Sequence, residues 1–189
     1  MAKVLILLSG GCESTALLEL AKQEGHDVLC VHGSWSNATE EEKGFCTWAA
    51  EQYGYPIYYP QIDSNEMAPL KRHVALDIAH WLPIASLLSI QLQDIDLVWY
   101  GAHMKDDMVA LGMIRFTFDI LKKFTSSNIP KTEIEAPLHR KKKIQQYDMV
   151  PEHIRERILF CQRKKDTPCG ICKKCQEWKD EGMWKTAWD

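Results

Sequence analysis

Two groups of residues, far apart in the chain, have the types and spacing to do chemistry. The first is Ser9-Gly10-Gly11-Cys12-Glu13-Ser14-Thr15, directly after the apolar run Lys3 to Leu8 (KVLILL). Adjacent glycines let a backbone bend tightly and bring its N–H groups close to a ligand, and a helix starting there adds a partial positive charge. Ser9, Ser14 and Thr15 add hydroxyl donors, so the segment suits an anion such as pyrophosphate. It lacks the spacer and the Gly-Lys pair of a Walker loop and is not G-x-G-x-x-G; a plain glycine turn with a capping serine is the alternative. The second group, Cys161-x7-Cys169-x2-Cys172-x2-Cys175, offers four soft ligands, the last three packed into tight turns containing Gly170. Four thiolates close the coordination sphere of tetrahedral zinc and leave no position for a reactive water, which predicts a structural Zn2+. Arg163, Lys164, Lys165, Lys173 and Lys174 beside the ligands would offset the negative charge of such a site. Redox cysteines or an iron–sulfur cluster are the competing readings.

Composition bounds what carries these groups. At 189 residues the chain predicts one compact domain with a small appendage, and 46% hydrophobic with 26% charged residues is ordinary globular usage. Lys plus Arg is 23 against 26 for Asp plus Glu, a net charge of −3, which argues against nucleic acid as an obligatory electrostatic partner. Met1 to Leu8 does not read as a signal peptide, and the longest weakly polar run, Trp81 to Ile90, is about half of the ~20 residues needed to cross a bilayer. A cytoplasmic protein is expected, with no membrane partner, and in a reducing compartment clustered cysteines are metal ligands or catalytic thiols rather than disulfides.

The elements that must position the two groups follow from apolar periodicity and punctuation. Lys3 to Leu8 reads as a strand buried on both faces, and Ser14 to Glu24 as a helix stopped by Gly25. Val28 to Val31 predicts a second strand, Thr39 with Glu42 a capping-box start for a helix to about Tyr53, and Ile57 to Tyr59 a third strand. Residues 66–93 carry helical patterning divided near Pro83. Asp96 to Tyr100 predicts a fourth strand, residues 108–124 an amphipathic helix, and Ile134 to Leu138 a last strand or strand end. Alternating strands and helices predict a doubly wound, mostly parallel α/β sheet, whose ligands bind beyond the carboxyl ends of the strands. The basic, proline-punctuated stretch from Arg140 to Pro151 is the nearest thing to a boundary, giving an α/β body over 1–150 and a four-cysteine helical subdomain over 151–189. Cys12, Cys30 and Cys46 read as small hydrophobes of the body. Trp178, Trp184 and Trp188 read as apolar cover of the cysteine knot or as a dimer contact.

With its helix beginning near Ser14, the glycine loop resembles the S-G-G-x-D-S pyrophosphate loop of the N-type ATP pyrophosphatases, the PP-loop superfamily, with Glu13 at the aspartate position. Combined with the C-x7-C-x2-C-x2-C knot, the chain resembles the 7-cyano-7-deazaguanine synthases. Two intermediate segments carry the same resemblance: Val98-Trp99-Tyr100-Gly101-Ala102-His103-Met104-Lys105-Asp106 is similar to a strand and G-A-H-x-x-D loop, and Glu135-Ala136-Pro137-Leu138 with Lys143 to an E-x-P-L segment and its downstream lysine. The resemblance implies an adenine nucleotide alpha hydrolase-like fold. It also implies a ligase that uses ATP with Mg2+ and ammonia to convert 7-carboxy-7-deazaguanine to its nitrile through an adenylated carboxylate.

Residue by residue, it implies that Ser9 to Thr15 hold pyrophosphate, with Glu13 bracing the loop or holding magnesium. His32, with Gly33 and Ser34, follows the second strand, where adenine and ribose would lie, and Trp35 is a stacking candidate. Asp106 and Asp107 follow a strand end, where a carboxylate holds magnesium on phosphates or simply caps a helix. His103 is placed to orient substrate or pair with Asp106. Lys143 would neutralise charge on the phosphates, with a solvated basic face of Arg140, Lys141 and Lys142 as its competitor. The family's P-G-R-N and Y-P-D-C segments have no counterpart: Ile78 to Pro83 reads IAHWLP and Met108 to Arg115 reads MVALGMIR. Two alternatives therefore stand beside the synthase: a relative that adenylates another carboxylate or attaches a deazaguanine to protein or nucleic acid, and a nucleotide-binding module without catalysis. A homodimer is compatible with either.

Overall fold

The computed structural model describes residues 1–32, 40–60, 94–103, 132–158, 161 and 168–184. The apolar run at the start forms β1 (Lys3–Leu7), with Val4 to Leu7 buried. The chain turns at the two glycines and enters α1 (Cys12–Glu24), which begins two residues before Ser14, with Gly11 as N-cap. Gly25 ends α1 in the left-handed conformation at φ 69°, which costs glycine little. β2 (Asp27–Val31), α2 (Glu40–Gln52), β3 (Ile57–Tyr58) and β4 (Leu97–Tyr100) follow, then β5 (Glu133–Glu135), α3 (Lys143–Met149), α4 (Glu152–Arg155) and α5 (Lys173–Asp180).

The strands form one parallel five-stranded sheet in the order β3-β2-β1-β4-β5. β1 pairs with β2 on one side and β4 on the other, so the order reverses between β1 and β4. In open parallel sheets that reversal opens a crevice at the carboxyl ends of the strands. Here those ends carry the glycine loop and Gly101 to His103.

α1 buries Ala16, Leu17, Leu18 and Ala21, and α2 buries Phe45, Cys46, Ala49 and Ala50. Leu138, Val150, Ile154, Ile158, Trp178 and Met183 belong to the same buried cluster, so described residues on both sides of position 150 share one core. Cys12 and Cys30 lie in that cluster too. The predicted helices over 66–93 and 108–124, and the Thr39 cap, lie outside the described residues. β5 is shorter than the sequence suggests: after Glu135 the chain turns at Pro137, which has no N–H for the ladder, and His139 N–H bonds back to the Ala136 carbonyl at 3.0 Å. No described helix is long and apolar enough to cross a membrane.

Candidate functional site

The glycine loop is held by its own hydroxyls. Ser14 Oγ accepts from the Ser9 N–H at 3.1 Å and lies 3.1 Å from the Gly11 carbonyl, to which Thr15 Oγ1 donates at 2.8 Å. Ser9 and Ser14 Oγ are also 3.1 Å apart. Ser14 is therefore a brace within the loop rather than the N-cap itself, a position that Gly11 fills without a side-chain bond. Gly10 sits at φ 78°, and a Cβ there would meet Cys46 Sγ at 3.3 Å and Phe45 at 3.4 Å, so α2 packs straight onto the bend. Gly101, at the end of β4, is tighter still: an added Cβ would lie 2.6 Å from the Ser14 nitrogen and 2.8 Å from the Glu13 carbonyl carbon. The start of α1 and the exit of β4 touch because neither the loop nor Gly101 carries bulk there.

Two predicted residues converge on Glu13. Lys143 Nζ is 2.8 Å from Glu13 Oε1, and His103 Nδ1 is 3.6 Å from the same oxygen. Glu13 Oε2 lies 3.4 Å from where a Gly11 Cβ would stand, so this carboxylate borders the glycine loop. Lys143 is 4% exposed, whereas Arg140, Lys141 and Lys142 are exposed, so the buried lysine is set apart from the solvated basic run. Burial alone would push the Glu13 carboxyl up; the Lys143 ammonium beside it overcomes that and leaves it below the usual glutamate value. Burial likewise pulls Lys143 down, but Glu13 and Glu177 together hold its ammonium well above the ordinary lysine range. Both groups are charged at neutral pH.

Gln146, fully buried, ties this corner together. Its Nε2 donates to the Ala102 carbonyl at 2.8 Å and the Leu138 carbonyl at 3.0 Å, joining the loop after β4 to the turn after β5. Trp99 Nε1 donates to Glu135 Oε2 at 3.2 Å between the same two strands. His32, at the end of β2, is 3% exposed and turned inward, with Nδ1 2.8 Å from the Leu8 carbonyl and 3.4 Å from Cys46 Sγ. Its side chain braces the exit of β1. Asp106, Asp107, Gly33, Ser34 and Trp35 lie outside the described residues.

Sequence reasoning missed Glu177 and Gln146. Glu177 Oε2 lies 2.6 Å from Lys143 Nζ, a second carboxylate beside Glu13. A glutamate between a cysteine and a tryptophan, or a glutamine in a short amphipathic helix, has no local signature, and only the fold reveals either one.

The four cysteines also converge. Cys161, Cys169, Cys172 and Cys175 have sulfurs all within 4.8 Å of one another, with Cys172 and Cys175 at 3.4 Å and Cys161 and Cys172 at 4.0 Å. A tetrahedral site with metal–sulfur bonds near 2.3 Å has sulfurs about 3.8 Å apart, so the group fits a metal. The N–H groups of Cys169, Cys172 and Cys175 point at the sulfurs of Cys161, Cys169 and Cys172 at 3.3 to 3.5 Å, donors that would steady thiolates. Cys12, Cys30 and Cys46 stay apart as buried free thiols. Burial pushes Cys30 up to about 12 and Cys12 well above the usual thiol range, and Cys46 is raised as well, so none is a ready nucleophile.

No protein-family profile matches the chain. It is 26% identical to a 7-cyano-7-deazaguanine synthase from Nautilia profundicola, over 93% of this chain and 91% of that one. It is 25% identical to a 7-cyano-7-deazaguanine synthase from Nitratiruptor sp., over 92% and 90% respectively. Among solved structures it is similar to an NMN synthetase from Francisella tularensis, with TM-score 0.54 and 15% identity over 96% of this chain and 77% of the other, a likeness of fold. That likeness and the strand order make the body a parallel α/β fold of the kind seen in that synthetase.

Proposed function

We propose that the chain is a diverged relative of the 7-cyano-7-deazaguanine synthases and that it converts 7-carboxy-7-deazaguanine and ammonia to the nitrile with ATP. The observation that carries the reading is the meeting of Lys143 with Glu13, which brings the lysine downstream of Glu135-Ala136-Pro137-Leu138 onto the glycine loop from 130 positions away. As an ATP-dependent carbon–nitrogen ligase, it faces one electrostatic problem twice: stabilising the charge that builds on the phosphates as pyrophosphate leaves.

In this reading the carboxylate oxygen of the substrate attacks the α-phosphorus of ATP and pyrophosphate departs. Ammonia then displaces AMP from the acyl carbon and sheds a proton, giving the amide. The amide oxygen attacks the α-phosphorus of a second ATP and displaces pyrophosphate, and loss of AMP and protons then leaves the nitrile. The backbone N–H groups of Gly10 to Ser14, with the hydroxyl of Ser9, hold the departing pyrophosphate. Lys143 supplies the fixed positive charge beside it. Glu13 sets the position of Lys143, and its carboxylate together with Asp106 would be the residues to hold magnesium, which would supply positive charge to the phosphates. Glu13 thus fits a hard-cation site as well as a brace. His103 stands next to Glu13, where it can orient the group being activated. His32 supports the adenine side through the packing it gives the exit of β1. The four cysteines would hold Zn2+, which would fix the first turn of α5 against the α/β body and take no part in bond making.

Incubation of zinc-loaded protein with 7-carboxy-7-deazaguanine, ammonium, magnesium and ATP is expected to yield nitrile and AMP, read by mass spectrometry. Neither nitrile nor amide from folded, zinc-loaded protein would falsify the substrate assignment. AMP released only with another carboxylate would keep the chemistry and move the substrate. The exposed run Arg140, Lys141 and Lys142, directly before buried Lys143, favours a second reading in which the activated group passes to a macromolecule. Radiolabelled deazaguanine retained on tRNA or protein would mark it.

A further inference from the structure

Lys143 is gripped from two sides, and the two grips come from different parts of the molecule. Glu13 reaches it from the glycine loop at 2.8 Å, and Glu177 reaches it from α5 at 2.6 Å. α5 grows directly out of the cysteine group: Cys172 is its N-cap, Cys172 Sγ accepts from the Cys175 N–H, and Glu177 follows Cys175 by two residues. A helix of eight residues is too short to persist by its own hydrogen bonds. Its axis is fixed by what holds it at the two ends of that span. Toward the body, Trp178 packs edge-on against Tyr147 of α3, with ring centroids 5.2 Å apart. Toward the start, two of the four sulfurs of the metal site lie on its first turn.

Resting on the reading of the cysteines as a metal site and of Lys143 as a phosphate-facing group, we propose that Glu177 is a positioning residue that carries the state of the metal site to Lys143. With metal bound, α5 is held and the Glu177 carboxylate fixes the ammonium over the glycine loop. With metal removed, the first turn of α5 loosens and the carboxylate withdraws. A lysine that is 4% exposed then keeps one carboxylate instead of two, and it regains solvation only by swinging outward. The metal is then part of what assembles the site as well as part of what folds the segment.

The test is acylation of Lys143 by acetic anhydride in the full chain, counted by peptide mass spectrometry against exposed Lys141 and Lys142 as internal references. Labelling of Lys143 is expected to be about tenfold faster in chelator-stripped than in zinc-loaded wild type, within the usual range of coupling between sites. Zinc-loaded Glu177→Gln, with wild-type metal content, is expected to label as fast as stripped wild type and to change little on stripping, while Glu177→Asp recovers part of the protection. In turnover the Gln variant is expected to raise KM for ATP more than it lowers kcat. If stripping unfolds the chain, as judged by circular dichroism, the zinc-loaded variant decides alone. Protection in Glu177→Gln equal to wild type, or labelling of folded wild type indifferent to metal, overturns the proposal. The expected labelling in a protein that never binds nucleotide would leave the coupling intact and remove the ligase reading.

Discussion

Glu13 and Lys143 hold each other charged against burial, and that balance makes definite predictions. In Lys143→Met the cation that lowers Glu13 is gone and burial acts unopposed, so the Glu13 carboxyl is expected to rise above the ordinary value of about 4.3 rather than fall below it. Carbon-13 titration of the labelled carboxyl would read the reversal. In wild type the lowered folded value means that this carboxylate contributes stability at pH above about 4.3, lost as pH falls through the folded value. Lys143, raised when folded, contributes below about 10.4 and loses that contribution only as pH climbs through its folded value. The pair is therefore expected to stabilise evenly across neutral pH, with thermal melts falling off on the acid side first. Removing Lys143 is expected to lower kcat by about 100- to 1000-fold, the scale of losing one fixed donor to developing charge. At this scale the sequence was half legible: only the resemblance of its spacing after Glu135-Ala136-Pro137-Leu138 set Lys143 apart from Lys141 and Lys142 in the basic run. What separates them is the turn after Pro137, which sends one side chain inward and leaves its neighbours in water.

Between elements, the decisive contact is the approach of the β4 exit to the start of α1. Gly101→Ala would set a methyl 2.6 Å from a backbone nitrogen, with no flexible side chain to give way. Overpacking of that kind costs about 1–3 kcal/mol. For a chain of this size that is a fall of several degrees in Tm, together with weaker ATP binding because the loop must shift; calorimetry and nucleotide titration would check both. The strand, glycine bend and helix at the start were legible because an apolar run, two glycines and a helical spacing each say the same thing. β5 was overextended in the sequence reading because Leu138 is apolar, yet its burial comes from the turn and α3 side rather than from the ladder. The role of Gly101 was invisible, since closeness between β4 and α1 is a property of strand order. Alternation predicted parallel strands, but it does not say that β4, separated from β1 by 89 residues, lies beside it.

For the molecule as a whole, the helix that follows the cysteine group shares a buried core with the α/β body. Trp178 and Met183 lie in the same buried cluster as Leu17 and Ala49, so loss of the metal is expected to reach the body. Purified protein is expected to hold one zinc per chain by elemental analysis, and Cys172→Ser to lose both the metal and several degrees of Tm. Stripping wild type with a chelator should have the same effect, reversed by adding zinc. The spacing of the cysteines was enough to read the site itself. That α5 contacts Lys143 was not legible, because the link is one carboxylate of a short helix.

The double grip on Lys143 also has a consequence for how the protein is made. β1 is synthesised early yet sits at the centre of the sheet, and Lys143 is translated 34 residues before Glu177. A chain truncated between those two positions would carry the glycine loop and its lysine without the second carboxylate, so a nonsense change there is expected to leave the pair with Glu13 and remove the brace from α5.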